Sequence, residues 1–175
     1  HVDSFKTPGK LNLVFLDLTN RCNLRCRYCF NLHNLDQAPV DLDLSLLERA
    51  LDSKVAAGVR NWFFSGGEPL CYPDLEDALR MFQERGHRPK IATNGILLTP
   101  RVVDEWVARG VRSVQFSFDT LRPAAMSAIN AGSPKNHRDL LANLAYAVAS
   151  PLRVVASSVL TRANAAEIEA MMRAS

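Results

Sequence analysis

Five times along this chain a short apolar run, rich in β-branched and aromatic residues, gives way to a polar turn and then to apolar residues at helical spacing. That alternation constrains the fold more than any other feature. Residues 11–19 (LNLVFLDLT), 60–67 (RNWFFSGG), 89–95 (PKIATNG), 111–119 (VRSVQFSFD) and 152–160 (LRVVASSVL) read as strands. A helix is expected over 43–58, where Leu44, Leu47, Ala50, Leu51 and Val55 recur on one face and Gly58 stops it. Others are expected over 73–86, with Pro73 near the start and Gly86 past the end, and from Pro100 to Arg109, stopped by Gly110. The stretch 122–149 reads as helical with an interruption around AGSPKN, and 164–173 begins a last helix. Repeated βα units imply parallel strands with right-handed crossovers, in a barrel-like sheet or an open doubly wound one.

In either architecture ligands sit at the C-terminal ends of the strands. The polar punctuation falls there: a cysteine loop after the first strand, SGGEP after the second, TNG after the third and SFDT at the fourth. Trp62, Phe63 and Phe64 on the second strand are expected in core and outer packing.

The 175 residues, 47% hydrophobic and 22% charged, suit one ordinary globular domain. A scattered net charge of +3 argues against nucleic acid or a membrane surface as partner. No run of about 18 apolar residues occurs, and HVDSFKTPGK has no apolar core of a signal peptide, so a cytoplasmic protein is expected. Residues 1–10 read as an N-terminal extension or tag remnant, and 11–175 as one core domain cut short at its C-terminal end.

A reducing compartment favours metal binding or chemistry over disulfides for clustered cysteines. Cys22, Cys26 and Cys29 follow a C-x3-C-x2-C spacing in RCNLRCRYCF, and Cys71 stands apart as a small apolar filler. A [4Fe–4S] cluster is usually held by four cysteines. Three thiolates from one tight loop would leave one iron open to chelate the amino and carboxylate groups of a substrate or cofactor. The alternative is a zinc site completed by a histidine such as His33. His33 and His137 otherwise read as loop residues.

The cysteine motif after the first strand, with Tyr28 just before the third cysteine, combines with GGEP (66–69), TNG (93–95) and SFD (117–119). Together these resemble the radical S-adenosylmethionine (SAM) superfamily over about residues 11 to 170. The resemblance implies an α/β fold, a partial (β/α)6 TIM-like barrel of which five units are present here. It implies that Cys22, Cys26 and Cys29 bind a [4Fe–4S] cluster whose open iron takes the amino and carboxylate groups of SAM. The backbone around Tyr28 would touch the adenine, and Gly66 and Gly67 would let the main chain approach the methionine end. Glu68 would lie near the ammonium, Thr93 and Asn94 would line the floor, and Ser117 and Asp119 would face the ribose. Residues 157–160 would edge the adenine or the substrate. Pro69 either joins this site or only sets the turn, Asn94 has a turn reading beside the site reading, and Asp119 has a helix-capping one. Two departures stand out. Thr120 occupies a position where the family often has Gly, and Asn130 stands where many peptide-modifying members carry an Arg for the SAM carboxylate. Arg138 and Lys135 are the candidate substitutes.

The implied activity is reductive cleavage of SAM to a 5'-deoxyadenosyl radical that abstracts hydrogen from a substrate. An electron donor such as flavodoxin or ferredoxin is an implied partner. The motif set resembles the peptide- and natural-product-modifying (SPASM-type) members. The alternatives are a sugar or aminocyclitol dehydratase or epimerase and, from another class, a non-catalytic zinc- or cluster-binding module.

Overall fold

The computed structural model describes residues 12–54 and 56–174. The expected N-terminal extension, Leu11 and Val55 lie outside the described residues. Among the described residues five strands form one sheet: β1 (Leu13–Asp17), β2 (Asn61–Ser65), β3 (Lys90–Thr93), β4 (Ser113–Ser117) and β5 (Arg153–Ser157). They are ordered β1-β2-β3-β4-β5 and every pairing is parallel. An open doubly wound sheet reverses its strand order at a switch point. Here the order never reverses, so successive right-handed crossovers leave their helices on one face, and the barrel-like alternative is the one observed.

The helices are α1 (Leu32–Leu35), α2 (Leu44–Leu51), α3 (Leu75–Glu84), α4 (Pro100–Ala108), α5 (Pro123–Asn130), α6 (Pro134–Ala149) and α7 (Ile168–Ala174). Against them the strands bury alternate residues: Trp62, Phe64, Ile91, Val114 and Phe116 join Phe82, Val103 and Trp106 in one core. Phe82 of α3 meets both Trp62 and Phe64 edge-on, with ring centroids 5.1 and 4.9 Å away. The intervening strand residues face the other side, where Phe63 stacks on Phe15 at 5.0 Å instead of entering the core. Ser65, Gln115 and Ser117 share that face by the alternation of the strands.

The helix expected over 43–58 ends at Leu51. The Ser53 hydroxyl donates to the Ala50 carbonyl at 2.7 Å and accepts from the Ala56 N–H at 3.2 Å, turning the chain into a separate 3-10 turn at Ala56–Gly58. The expected break in 122–149 is present. Ala131 takes a left-handed conformation at φ 59° after α5, and Ser133 and Asn136 form a capping box that restarts the chain as α6. His137 is not a loop residue. It lies buried in the first turns of α6 with its Nε2 3.2 Å from the Thr120 carbonyl oxygen. His33 is exposed on the single turn of α1.

Candidate active site

The cysteine loop leaves β1 and is held by the Asn20 side chain at its base and by backbone hydrogen bonds to the end of α5. Asn20 staples it: its Nδ2 donates to the carbonyls of Asn34 (2.9 Å) and Ala38 (3.0 Å), and its Oδ1 accepts from the Val40 N–H at 2.8 Å. Further along, the N–H groups of Arg25 and Arg27 donate to the carbonyls of Asn130 and Ile129, each at 3.0 Å. Those carbonyls belong to the last turn of α5, whose end-of-helix acceptors have no partner within the helix. The loop thus spends its own donors on satisfying a helix terminus.

The loop after β2 presses on the cysteine loop from the other side. The Gly67 N–H donates to the Thr19 carbonyl at 2.6 Å and the Glu68 N–H to the Arg21 carbonyl at 2.7 Å. A Cβ on Gly67 would lie 2.1 Å from the Arg21 carbonyl oxygen, and one on Gly66, at φ 121°, would lie 2.5 Å from that of Thr19. The close approach that requires glycine is therefore to the chain's own cysteine loop. Pro69 opens a 3-10 turn and lies outside the cleft lining, so of its two readings the turn-setting one describes its place.

Glu68 is buried. Its carboxylate accepts from the Thr93 hydroxyl at 2.7 Å, the Asn94 N–H at 2.7 Å and the Leu70 N–H at 3.2 Å. Burial pushes its carboxyl above the usual value despite these donors. Geometrically it ties the end of β2 to the end of β3. Asn94 makes the turn contact and also ties the end of β3 to the cysteine loop. Its Oδ1 accepts from the Ile96 N–H at 3.1 Å within the turn, while its Nδ2 donates to Asn23 of the cysteine loop at 2.6 Å. At the end of β4 the Tyr28 hydroxyl donates to one oxygen of Asp119, and the Val159 N–H donates to the other at 2.9 Å. Asp119 caps no helix, because α5 begins after Arg122.

These pieces enclose a cleft of about 320 Å³. It gathers Cys22, Cys26 and Cys29 with Tyr28, Gly66, Gly67, Glu68, Thr93, Asn94, Ser117, Asp119, Asn130 and Val159. Cys71, His33 and His137 are not in its lining. All four cysteines are free and partly exposed. Burial pushes the Cys22 thiol up and the Cys26 thiol to about 12, and Cys71 to about 11. Among the described residues no three His, Cys, Asp or Glu side chains are arranged to hold a single metal ion.

Asn130 is buried, and its side-chain oxygen accepts from the Gly132 N–H at 3.0 Å. Lys135 is paired with Asp139 on the exposed side of α6, and neither it nor Arg138 reaches the cleft. Thr120 is buried, with its hydroxyl donating to Glu167 at 2.9 Å. Sequence reasoning missed Ser65 and Gln115, which line the same cleft. Their signal was available, since each is a polar residue on the strand face opposite the buried Phe64 and Phe116. Leu24, Leu35, Met126 and Leu140, its apolar lining, carried no comparable signal.

Residues 16–174 match the Radical SAM superfamily. The chain belongs to this family. It is 36% identical over 124 residues to the tungsten-containing aldehyde ferredoxin oxidoreductase cofactor-modifying protein of Pyrococcus furiosus, covering 70% of this chain and 34% of that protein. It is 34% identical over 151 residues to the PqqA peptide cyclase of Streptomyces rochei, covering 86% of this chain and 41% of the cyclase. Among solved structures, Streptococcus suis SuiB bound to the precursor peptide SuiA superposes with a TM-score of 0.77, covering 93% of this chain and 36% of that one. At 23% identity this last likeness bears on the fold alone. The radical SAM chain described here spans well under half the length of each of these proteins. Among the described residues no helix is long and apolar enough to cross a membrane.

Proposed function

We propose that the protein is a radical SAM enzyme that holds a [4Fe–4S] cluster on Cys22, Cys26 and Cys29, binds SAM in the adjoining cleft and acts on a peptide. One observation carries the reading: three free thiols from a single loop share one cleft with the C-terminal ends of β2, β3 and β4. The donor set fits the group. A single zinc would draw its sulfurs to within about 4 Å of one another, given Zn–S bonds of about 2.3 Å in a tetrahedron. A cubane instead puts each thiolate on a different iron, which suits three thiols that line one cleft without forming a single-ion site. When bound on Cys22, Cys26 and Cys29 and reduced, the cluster would supply the electron for reductive cleavage of SAM.

The chain's own residues bind and orient. Gly66 and Gly67 present main chain beside the cysteine loop, where a side chain would collide. Glu68, its carboxyl group engaged by three donors of the chain, keeps the floor residues Thr93 and Asn94 in place and would set a buried carboxyl beside the SAM ammonium. Ser117 and Asp119 offer acceptors to the ribose hydroxyls, and Tyr28 and Val159 flank the base. Asn130 stands where the resemblance places the family's arginine, and among the described residues that line the cleft none carries a guanidinium, so Asn130 would offer the SAM carboxylate a neutral amide. The apolar lining from Leu24, Leu35 and Met126 keeps water from the reacting end. A peptide as substrate is supported by the match to PqqA peptide cyclase over most of this chain. A flavodoxin or ferredoxin is the proposed electron donor.

The test is anaerobic reconstitution of the full-length protein with iron and sulfide, followed by reduction and EPR with and without SAM. A [4Fe–4S] signal that shifts on adding SAM and vanishes in Cys26→Ala is expected. Colourless protein with one zinc per chain, or a signal indifferent to SAM, would return the cysteines to a structural role.

A further inference from the structure

Tyr28 stands between two of the three thiols, and its hydroxyl reaches across 91 residues of sequence to Asp119 at the end of β4. We propose that this hydrogen bond couples the cysteine loop to the nucleoside end of the cleft, so that loading the loop tightens nucleoside binding through the chain itself. The proposal rests on the cluster and SAM reading above and assigns Tyr28 a positioning role that its aromatic ring alone would not have.

The two sides of the bond are anchored differently. On the strand side Asp119 is fixed without help from the loop. Asn164, fully buried, donates to the carbonyls of Asp119 at 2.7 Å and Val159 at 2.9 Å, and the Val159 N–H in turn donates to Asp119 Oδ1. On the loop side the described backbone ties run from Arg25 and Arg27 to the end of α5 and from Thr19 and Arg21 to the loop after β2, and none of them reaches Asp119. Tyr28 is thus the side-chain link, among the described hydrogen bonds, from the cysteine loop to the end of β4. Ligation of Cys26 and Cys29 would fix the backbone on both sides of Tyr28 and so fix where its hydroxyl points. An ionised carboxylate has about four acceptor sites, of which Tyr28 and Val159 use two. The remainder can take the ribose hydroxyls, so Tyr28 orients Asp119 without competing for it.

Coupling of this kind is reciprocal and is read as a ratio of affinities. The probe is 5'-deoxyadenosine, which lacks the amino and carboxylate groups that could chelate an open iron, so an effect that depends on Tyr28 passes through the protein. Calorimetric titration of the full-length wild type should show at least about fivefold tighter binding in the cluster-loaded than in the cluster-free state. Tyr28→Phe should bring that ratio to near one by losing the gain in the loaded state. Asp119→Ala should weaken both states, again with a ratio near one, and adding Tyr28→Phe to it should change nothing further. A bond that merely staples the fold would move both states together and leave the ratio intact. Each ratio compares one variant with itself, so lost stability does not mimic the result. A wild-type ratio of one, or a ratio that survives in Tyr28→Phe, overturns the coupling. A reconstituted wild type whose EPR signal ignores SAM overturns the parent reading, and the coupling falls with it.

Discussion

A single carbon decides much at Gly67. Its would-be Cβ meets backbone, the Arg21 carbonyl, which cannot swing aside as a side chain could. Gly67→Ala should cost about 1–3 kcal/mol in urea unfolding, the range for overpacking. It should also cut the iron bound after reconstitution, because the group displaced is the base of the cysteine loop. Gly58→Ala is the control: nothing lies within 4 Å of its Cβ position. It should stay within about 0.5 kcal/mol of wild type, as surface substitutions do. Equal losses at the two positions would show that the approach to the cysteine loop is not what demands glycine. Glu68, the neighbour of this pair, is a different kind of constraint. A buried carboxylate with three donors converts the ends of two strands into one unit, and its charge is a by-product that a cationic ligand can use.

The elements are held together by caps and by buried polar links between them. Asp43 caps α2, accepting from the N–H groups of Ser45 at 2.7 Å and Leu46 at 3.1 Å. Asp43→Ala should lower stability by about 1 kcal/mol in thermal or urea unfolding. Glu167, just before α7, accepts from the Thr120 hydroxyl and the Leu121 N–H, each at 2.9 Å, and from Arg122 Nε at 2.7 Å. Burial alone would push its carboxyl up, but the hydrogen bonds outweigh this and hold it below the ordinary value. A depressed folded value means the contribution is complete above the unfolded carboxyl value, about 4.3, and is lost as pH falls through the folded one. The melting temperature of Glu167→Gln should therefore lie below wild type at pH 7, and the gap should narrow as pH drops below about 4. A gap that stays constant with pH would mean the carboxylate form is not what the Thr120 corner uses.

This same pair shows where reading a sequence stops. The cysteines, the glycine pair and the strand ends were legible because each is a local signal: a spacing, a dipeptide, a change of period. Strand positions agreed to within a few residues for the same reason. Glu167 sits in TRANAAEIEA as an ordinary helix acid, and Asn143 sits mid-helix with no mark of its side chain, which donates to the carbonyls of Gly95 at 2.8 Å and Ile96 at 3.0 Å. Their roles depend on partners 45 or more residues away, and no local pattern encodes that. The early end of α2 was hidden because Ser53 competes for the backbone through its hydroxyl, a choice that helical periodicity does not register. His137 was misplaced because SPKNH has the composition of a loop, whereas it is the capped first turn of α6.

At the scale of the molecule, one apolar layer joins sheet and helices, and Phe82 is at its centre between Trp62 and Phe64. Phe82→Ala should cost about 3–5 kcal/mol in urea unfolding, the range for emptying a packed aromatic site. A loss under 1 kcal/mol would mean that the layer closes over the gap. The sheet's unbroken order also has a consequence in time. The cysteine loop is made before its partners at Asp119, Ile129 and Asn130, with Asp119 following Tyr28 by 91 residues. At about 5–20 residues per second, a nascent chain carries three unsheltered thiols for roughly 5 to 20 s before the surfaces that will enclose them exist. Until residue 130 has been made, the thiols are open to oxidants and stray metals.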